Sequence, residues 1–182
     1  MTEIQHAYLV SRGDSSSQAT VGTTYCQIFA VDEIDLDRLD AAWGKVQKRH
    51  GMMRASVEED GTQSIAPSSK IGHIERAECA NSSEAKQQLE EIKRTVFALA
   101  KPPLHRVVSI SWHEESGKQT RLVFCFDYTV LDALSVMTVL AELAELYENP
   151  GADLPGIGLT FRDFVVGHRR DGREVEEAEG YW

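Results

Sequence analysis

Apolar residues recur along the chain with two periods, and the switches between them outline a set of alternating helices and strands. From Asp35 to His50, residues Leu36, Leu39, Ala42, Trp43, Val46 and Gln47 fall at helical spacing, and Gly51 supplies a stop. A second helix is predicted over Ser83 to Ala100, opening on Ser82, Ser83, Glu84 and Ala85, with Leu89, Ile92, Val96 and Leu99 as its stripe. A third runs from Leu134 to Glu148 and is apolar nearly all round, the pattern of a helix buried on several sides. Shorter helices are expected at Thr2 to Ser11, with Thr2 as cap, and at Phe161 to Arg170. β-branched and aromatic residues predict strands at Thr23 to Val31, His105 to Trp112 and Thr120 to Phe126, the last two joined by a polar turn at Glu114 to Gln119. A hairpin is expected from Met53 to Glu58 and Thr62 to Ala66 around Glu59, Asp60 and Gly61, and a weaker strand from Gly72 to Ala77. The polar stretch 13–18 reads as a connection, the Pro- and Gly-rich stretch 150–158 as a linker, and 171–179 as an acidic solvated segment. The class is α/β (α+β).

Composition narrows the partners. The chain has 182 residues, one domain's length, and 19 basic against 29 acidic side chains give a net charge of −10. That excess argues against nucleic acid and anionic membrane surfaces. No apolar run reaches the length of a membrane span and no signal-peptide pattern opens the chain, so a cytoplasmic location is expected. Cys26, Cys79 and Cys125 are too few for a disulfide framework; Cys26 and Cys125 lie in strand-like runs and read as small buried hydrophobes. The six histidines show no metal-ligand spacing, so no metal is expected, and no dinucleotide, P-loop or nucleophile-elbow motif occurs.

The segment 122–135 concentrates the chemistry. Residues 122–126 (LVFCF) are continuously apolar, as in a strand covered on both faces, and Asp127 ends the run. Asp132 follows immediately before the most apolar helix, with Ser135 one turn inside it. An acid at each end of a strand-to-helix turn stands where functional groups gather in open sheets. Asp132 is equally readable as an ordinary N-cap that accepts from the amide of residue 134 or 135. Asp127, beside so apolar a strand, needs a partner or must take up a proton, unless it already lies in solvent beyond the sheet edge.

The run DYTVLDALS at 127–135 resembles the DxxxxDxxS motif of heterocyclization domains, members of the condensation superfamily of nonribosomal peptide synthetases. Ordinary condensation domains carry HHxxxDG there; here Asp127 stands at the first His, Tyr128 at the second and Ala133 at the Gly. Further blocks agree in order. TEIQHAY at 2–8 resembles the family's opening motif, and RHGMMRA at 49–55 resembles its RHxxLR segment, with Gly51 where Pro and Met53 where Leu is usual. DGTQ at 60–63, Pro103 and Leu104 before a strand, ELAELY at 142–147 and LTFRDF at 159–164 resemble the hairpin turn and later blocks.

The resemblance implies a single lobe of a chloramphenicol acetyltransferase-like fold, with a mixed, mostly antiparallel sheet flanked by helices. Such domains join an acyl group on one carrier protein to Cys, Ser or Thr on another, both held on phosphopantetheine arms, then close a thiazoline or oxazoline with loss of water. No cofactor bound directly to the chain is implied. Carried over, Asp127 is the tunnel-facing catalytic acid that orients or deprotonates the attacking amine. Asp132 is structural and pairs with Arg54, Ser135 either contacts the tunnel or supports the turn, and Tyr128, Gln5 and Tyr8 are candidates for the tunnel wall. Arg162 and Asp163 are read as an ion pair. Lys45, Lys48, Arg49 and Arg54 lie close together in the sequence and offer a local basic patch for the other reading, a module that docks a carrier protein.

The resemblance covers residues 1–182 as an N-terminal lobe, since 179–182 (EGYW) resembles the block at that lobe's end. The family's two-lobed domain is about twice as long, and its cyclodehydration residues belong to the second lobe. The expected partners are therefore a second lobe, in the same chain or another, the carrier proteins, or a second copy through self-association. A non-catalytic docking or scaffold module of an assembly line is the alternative, and a soluble α/β domain related by descent alone is a third reading.

Overall fold

A computed structural model describes residues 1–13 and 23–167. The elements run α1 (Glu3–Gly13), β1 (Thr24–Val31), α2 (Leu36–Arg49), β2 (Ala55–Val57), β3 (Gln63–Ile65), β4 (Glu75–Glu78), α3 (Ser82–Lys93), β5 (His105–Glu114), β6 (Gly117–Asp127), α4 (Ala133–Glu148) and α5 (Phe161–Gly167), with a 3₁₀ turn at Gly51–Arg54. Four strands make one sheet in the order β1-β6-β5-β4. β6 is antiparallel to β1 and β5, and β4 is parallel to β5. β2 and β3 form a separate antiparallel hairpin.

The apolar run at the end of β6 is explained by what covers the sheet. Successive strand residues point to opposite faces. Leu122, Phe124 and Phe126, with Val107 of β5, join Trp43 and Val46 of α2 and Val139 and Leu143 of α4 in one cluster. Val123 and Cys125, with Val108, Ile110 and Trp112, join Ala85 and Ile92 of α3 in the other. Trp43 meets Phe124 edge-on at 5.8 Å and Phe126 at 6.3 Å, the geometry aromatic pairs favour.

Capping sets the helix starts. Asp35 accepts from the amides of Asp37 and Arg38, both at 3.0 Å. At α1, Thr2 Oγ1 accepts from the Gln5 amide while Gln5 Oε1 accepts from the Thr2 amide at 2.9 Å, a reciprocal box.

Three expectations need correction. The second predicted helix ends at Lys93 rather than Ala100, because the following backbone serves tertiary contacts. Leu99 O accepts from the Val57 amide, Phe97 O accepts from Arg12, and Thr95 Oγ1 donates to Ile92 O. The polar turn shrinks to Glu115 and Ser116, since Glu114 already pairs with Gly117, whose φ of 113° favours glycine. The helix α4 is buried on one side only: Val136, Val139, Leu143 and Leu146 are in the core, while Leu134 and Met137 are 72% and 69% exposed. The polar connection at 13–18 lies almost wholly, and the acidic 171–179 segment and the 179–182 block wholly, outside the described residues, as does the end of the predicted Phe161 to Arg170 helix. The 150–158 stretch carries no helix or strand, and Lys45 Nζ donates to Pro150 O at 2.5 Å and Arg49 to Pro155 O.

Candidate functional site

Asp127 closes β6 and is completely buried. Its Oδ1 accepts from the Thr129 amide and from Thr23 Oγ1, each at 2.9 Å, and its Oδ2 receives the guanidinium of Arg12. Arg12 also reaches Thr23 Oγ1, and its other nitrogen donates to Phe97 O at 3.1 Å. Four segments therefore meet at the Arg12–Asp127 pair: the end of α1, the residue before β1, the backbone after α3 and the turn after β6. Gln5, one helical face with Arg12, donates to Thr129 O at 2.7 Å and fixes that turn from the other side. Next to this cluster, Arg12 Nε, Thr24 Oγ1 and Thr129 Oγ1 are buried polar atoms without a partner.

This arrangement differs from the expected tunnel-facing acid. Asp127 is enclosed and engaged at both oxygens, as burial of a charge beside apolar strands demands. Arg12, the partner, was not anticipated; the signal for it was the spacing of Gln5, Tyr8 and Arg12 along one face of α1.

Asp132 does not pair with Arg54. Asp132 is the N-cap of α4, accepting from the Ser135 amide at 2.8 Å. Hydrogen bonds from the Ser135 side chain and backbone hold its carboxyl below the usual carboxylate range, against a smaller opposing effect of burial. Arg54 instead donates to the carbonyls of Gln47, Lys48 and Ala66, the first two being free acceptors at the C-terminal end of α2. The link between α2 and α4 is made elsewhere in the same sequence blocks: Glu142 receives Arg49 Nε at 3.0 Å and His50 Nε2 at 2.6 Å. Arg162 forms no ion pair with Asp163, whose carboxylate accepts from the amide and hydroxyl of Thr160 and caps α5. Cys26 and Cys125, read as unpaired hydrophobes, face each other across β1 and β6 and are joined as a disulfide, while Cys79 is free and buried.

Of the tunnel candidates, Gln5 holds the turn that carries Tyr128 through its bond to Thr129 O. Tyr128 follows Asp127 and so turns to the other face of the sheet, where its ring stacks on Tyr25 at 5.7 Å with a 12° interplanar angle. Burial, then the neighbouring Tyr25 and Tyr8, raise the Tyr128 hydroxyl above its ordinary value. Among the described residues no cluster of three metal-ligating side chains occurs, and no helix is long and apolar enough to cross a membrane. A groove of about 440 Å³ is lined by Lys45, Arg49, Leu146, Leu154 and Ile157, none of which belongs to the Asp127 cluster.

A mixed sheet covered by helices on both faces, with its antiparallel centre feeding an apolar helix through a pinned turn, defines one lobe of the chloramphenicol acetyltransferase-like class. The profile of the family described as Condensation domain matches residues 1–182, and the chain belongs to that family. It is 30% identical over 188 residues to phenyloxazoline synthase MbtB of Mycolicibacterium paratuberculosis, covering 98% of this chain and 15% of the synthase. It is 28% identical over 195 residues to pyochelin synthetase PchF of Pseudomonas aeruginosa, covering 100% of this chain and 10% of the synthetase. Among solved structures it superposes on the EpoB nonribosomal peptide synthetase cyclization-docking bidomain from Sorangium cellulosum with a TM-score of 0.87 and 27% identity, covering 100% of this chain and 37% of that one. The chain thus spans a small part of these relatives.

Proposed function

We propose that this lobe supplies the N-terminal half of a heterocyclization site. There a carrier-bound acyl group is condensed with a carrier-bound Cys, Ser or Thr, and the product is closed to a thiazoline or oxazoline. The observation that carries the reading is the DxxxxD turn at 127–132 within a chain that superposes along its full length on part of a cyclization-docking bidomain. The phenyloxazoline synthase at 30% identity supports the same chemistry.

In this proposal the phosphopantetheine arms belong to the carrier proteins and enter as substrate. Asp127 acts as a latch rather than as a base: through Arg12, Thr23 and Thr129 it fixes the turn that presents Tyr128 on one side and starts α4 on the other. Asp132 and Ser135 hold the first turn of that helix. The second wall of the cleft comes from a second lobe, in cis or in trans. Water exclusion and alignment of the two thioesters require both walls.

The test is reconstitution. The chain, a second-lobe polypeptide and two loaded carrier proteins are expected to give a condensed product and a species lighter by one water, read by mass spectrometry. The chain alone is expected to give neither. Asp127→Asn with an intact fold is expected to retain product formation; loss of more than about a hundredfold, nearly 3 kcal/mol, would restore Asp127 as a participating base. No product from the complete mixture would overturn the reading.

A further inference from the structure

We propose that Tyr25 and Tyr128, together with Gln27, form the surface on which a planar aromatic acyl group lies, so that this lobe selects aryl over alkyl donors. The proposal rests on the reading above, that a carrier-bound acyl group is brought to this cleft.

The geometry starts from strand register. Tyr25 lies opposite Phe126, and the Tyr128 amide donates to Thr23 O, so Tyr25 and Tyr128 are diagonal neighbours on one face of the sheet. On that same face Phe124, Phe126 and Trp43 are fully enclosed and account for the core. Tyr25 and Tyr128 continue the aromatic row past the core and are only half-buried. Tyr25 and Tyr128 are stacked nearly parallel and partly exposed, an arrangement that a third flat group can extend.

The polar equipment suits an acyl carbonyl. The Tyr25 hydroxyl donates to Gln27 Oε1, which fixes the amide. The Gln27 amide nitrogen makes only a long 3.4 Å contact with Ile28 O, leaving a donor one strand step from the stacked rings. A flat ring on Tyr25 and Tyr128 with its carbonyl toward Gln27 uses both features; an alkyl chain uses neither the ring faces nor the fixed plane. The Tyr128 hydroxyl keeps its proton at neutral pH, so the surface presents donors and no negative charge to the group.

The test titrates the full chain with S-benzoyl-pantetheine, S-hexanoyl-pantetheine, pantetheine and benzoate, following tyrosine ring resonances by NMR. Benzoyl-pantetheine is expected to bind about tenfold more tightly than the hexanoyl compound, a difference of about 1.4 kcal/mol. Tyr128→Leu and Tyr25→Leu are expected to abolish that preference while leaving hexanoyl binding in place, and Tyr128→Phe to keep most of it. Equal binding of the two acyl compounds by the wild type, or parallel weakening of both by the Leu variants, overturns the proposal. The controls separate it from the reading beneath it. Equal binding of all three pantetheine compounds, with none for benzoate, keeps the carrier-arm reading and sinks the aryl surface. Benzoate binding as tightly as benzoyl-pantetheine keeps the aryl surface and sinks the carrier-arm reading.

Discussion

Arg12 and Asp127, 115 positions apart in the chain, meet in an ion pair with side chains 11% and 0% exposed. α1 is thereby clamped to the end of β6, and the clamp also holds Thr23 and the backbone at Phe97. α1 and the turn into α4 are thus set by one carboxylate.

Removing Arg12 leaves that carboxylate buried and unpaired, which costs about 3–5 kcal/mol. Arg12→Ala is expected to lower the melting temperature by roughly 10 °C, and Arg12→Ala with Asp127→Ala to cost less than the sum of the single changes. Thermal melts of the three variants check this; strict additivity would show that the two side chains do not act on each other.

Arg54 and Asp132 behave as independent caps. Asp132→Ala is expected to cost about 1 kcal/mol, the loss of one N-cap. Arg54→Ala frees carbonyls at the end of α2 and destabilises on its own account. A double-mutant cycle by chemical denaturation is expected to give no coupling between them, and a coupling of more than about 1 kcal/mol would restore the ion pair.

His105 imposes a pH dependence. The ring is buried against Trp43 at 5.1 Å, and burial lowers its pKa from 6.5 to about 4, against a smaller upward effect of a hydrogen bond to the Met53 backbone. Above pH 6.5 both the folded and the unfolded ring are neutral, and stability is full. As the pH falls from 6.5 toward 4 the unfolded chain takes up a proton that the folded protein does not, and stability is lost by roughly 3 kcal/mol. Below about 4 this loss levels off. Denaturation midpoints between pH 4 and 7 check the slope, and His105→Gln is expected to flatten it; an equal slope in the variant would assign it to other groups.

Cys26 and Cys125 are expected to yield one linked peptide pair on unreduced digestion, with Cys79 as the free thiol. Loop closure over 99 residues is worth roughly 4–5 kcal/mol in the chain-entropy account, so Cys26→Ser is expected to lower the melting temperature and to make it insensitive to reductant. A reductant-sensitive melt in the variant would count against the link. Alkylation of Cys79 is expected only as the protein opens, because burial raises its thiol, with a smaller push from Glu84.

The strand and helix order was legible because periodicity is strong wherever one face is buried: Leu36 to Arg49 and 122–126 are the clearest cases. Boundaries failed where tertiary contacts took over, as after Lys93, where Phe97 and Leu99 leave the helix to serve the backbone of other segments. The site was half legible. Asp127 stood out by its position, and Gln5, Tyr8 and Tyr128 by the motifs around them, but the partner of Asp127 lay 115 residues away, beyond any local pattern. Residue type misled in two places. Arg54 is drawn to nearby carbonyls rather than to a distant acid, and the facing of Cys26 and Cys125 depends on a strand register that spacing along the chain does not reveal.

The bond between Cys26 and Cys125 has a consequence for anyone handling the protein. It ties the polypeptide into a ring that contains α2, the β2–β3 hairpin, α3 and β5, with α1 and α4 hanging outside it. A protease that nicks any connection inside the ring leaves one molecule, whose mass rises by a water. The cut shows as two fragments only after the sulfurs are parted, whereas a cut in 150–158 releases its piece at once.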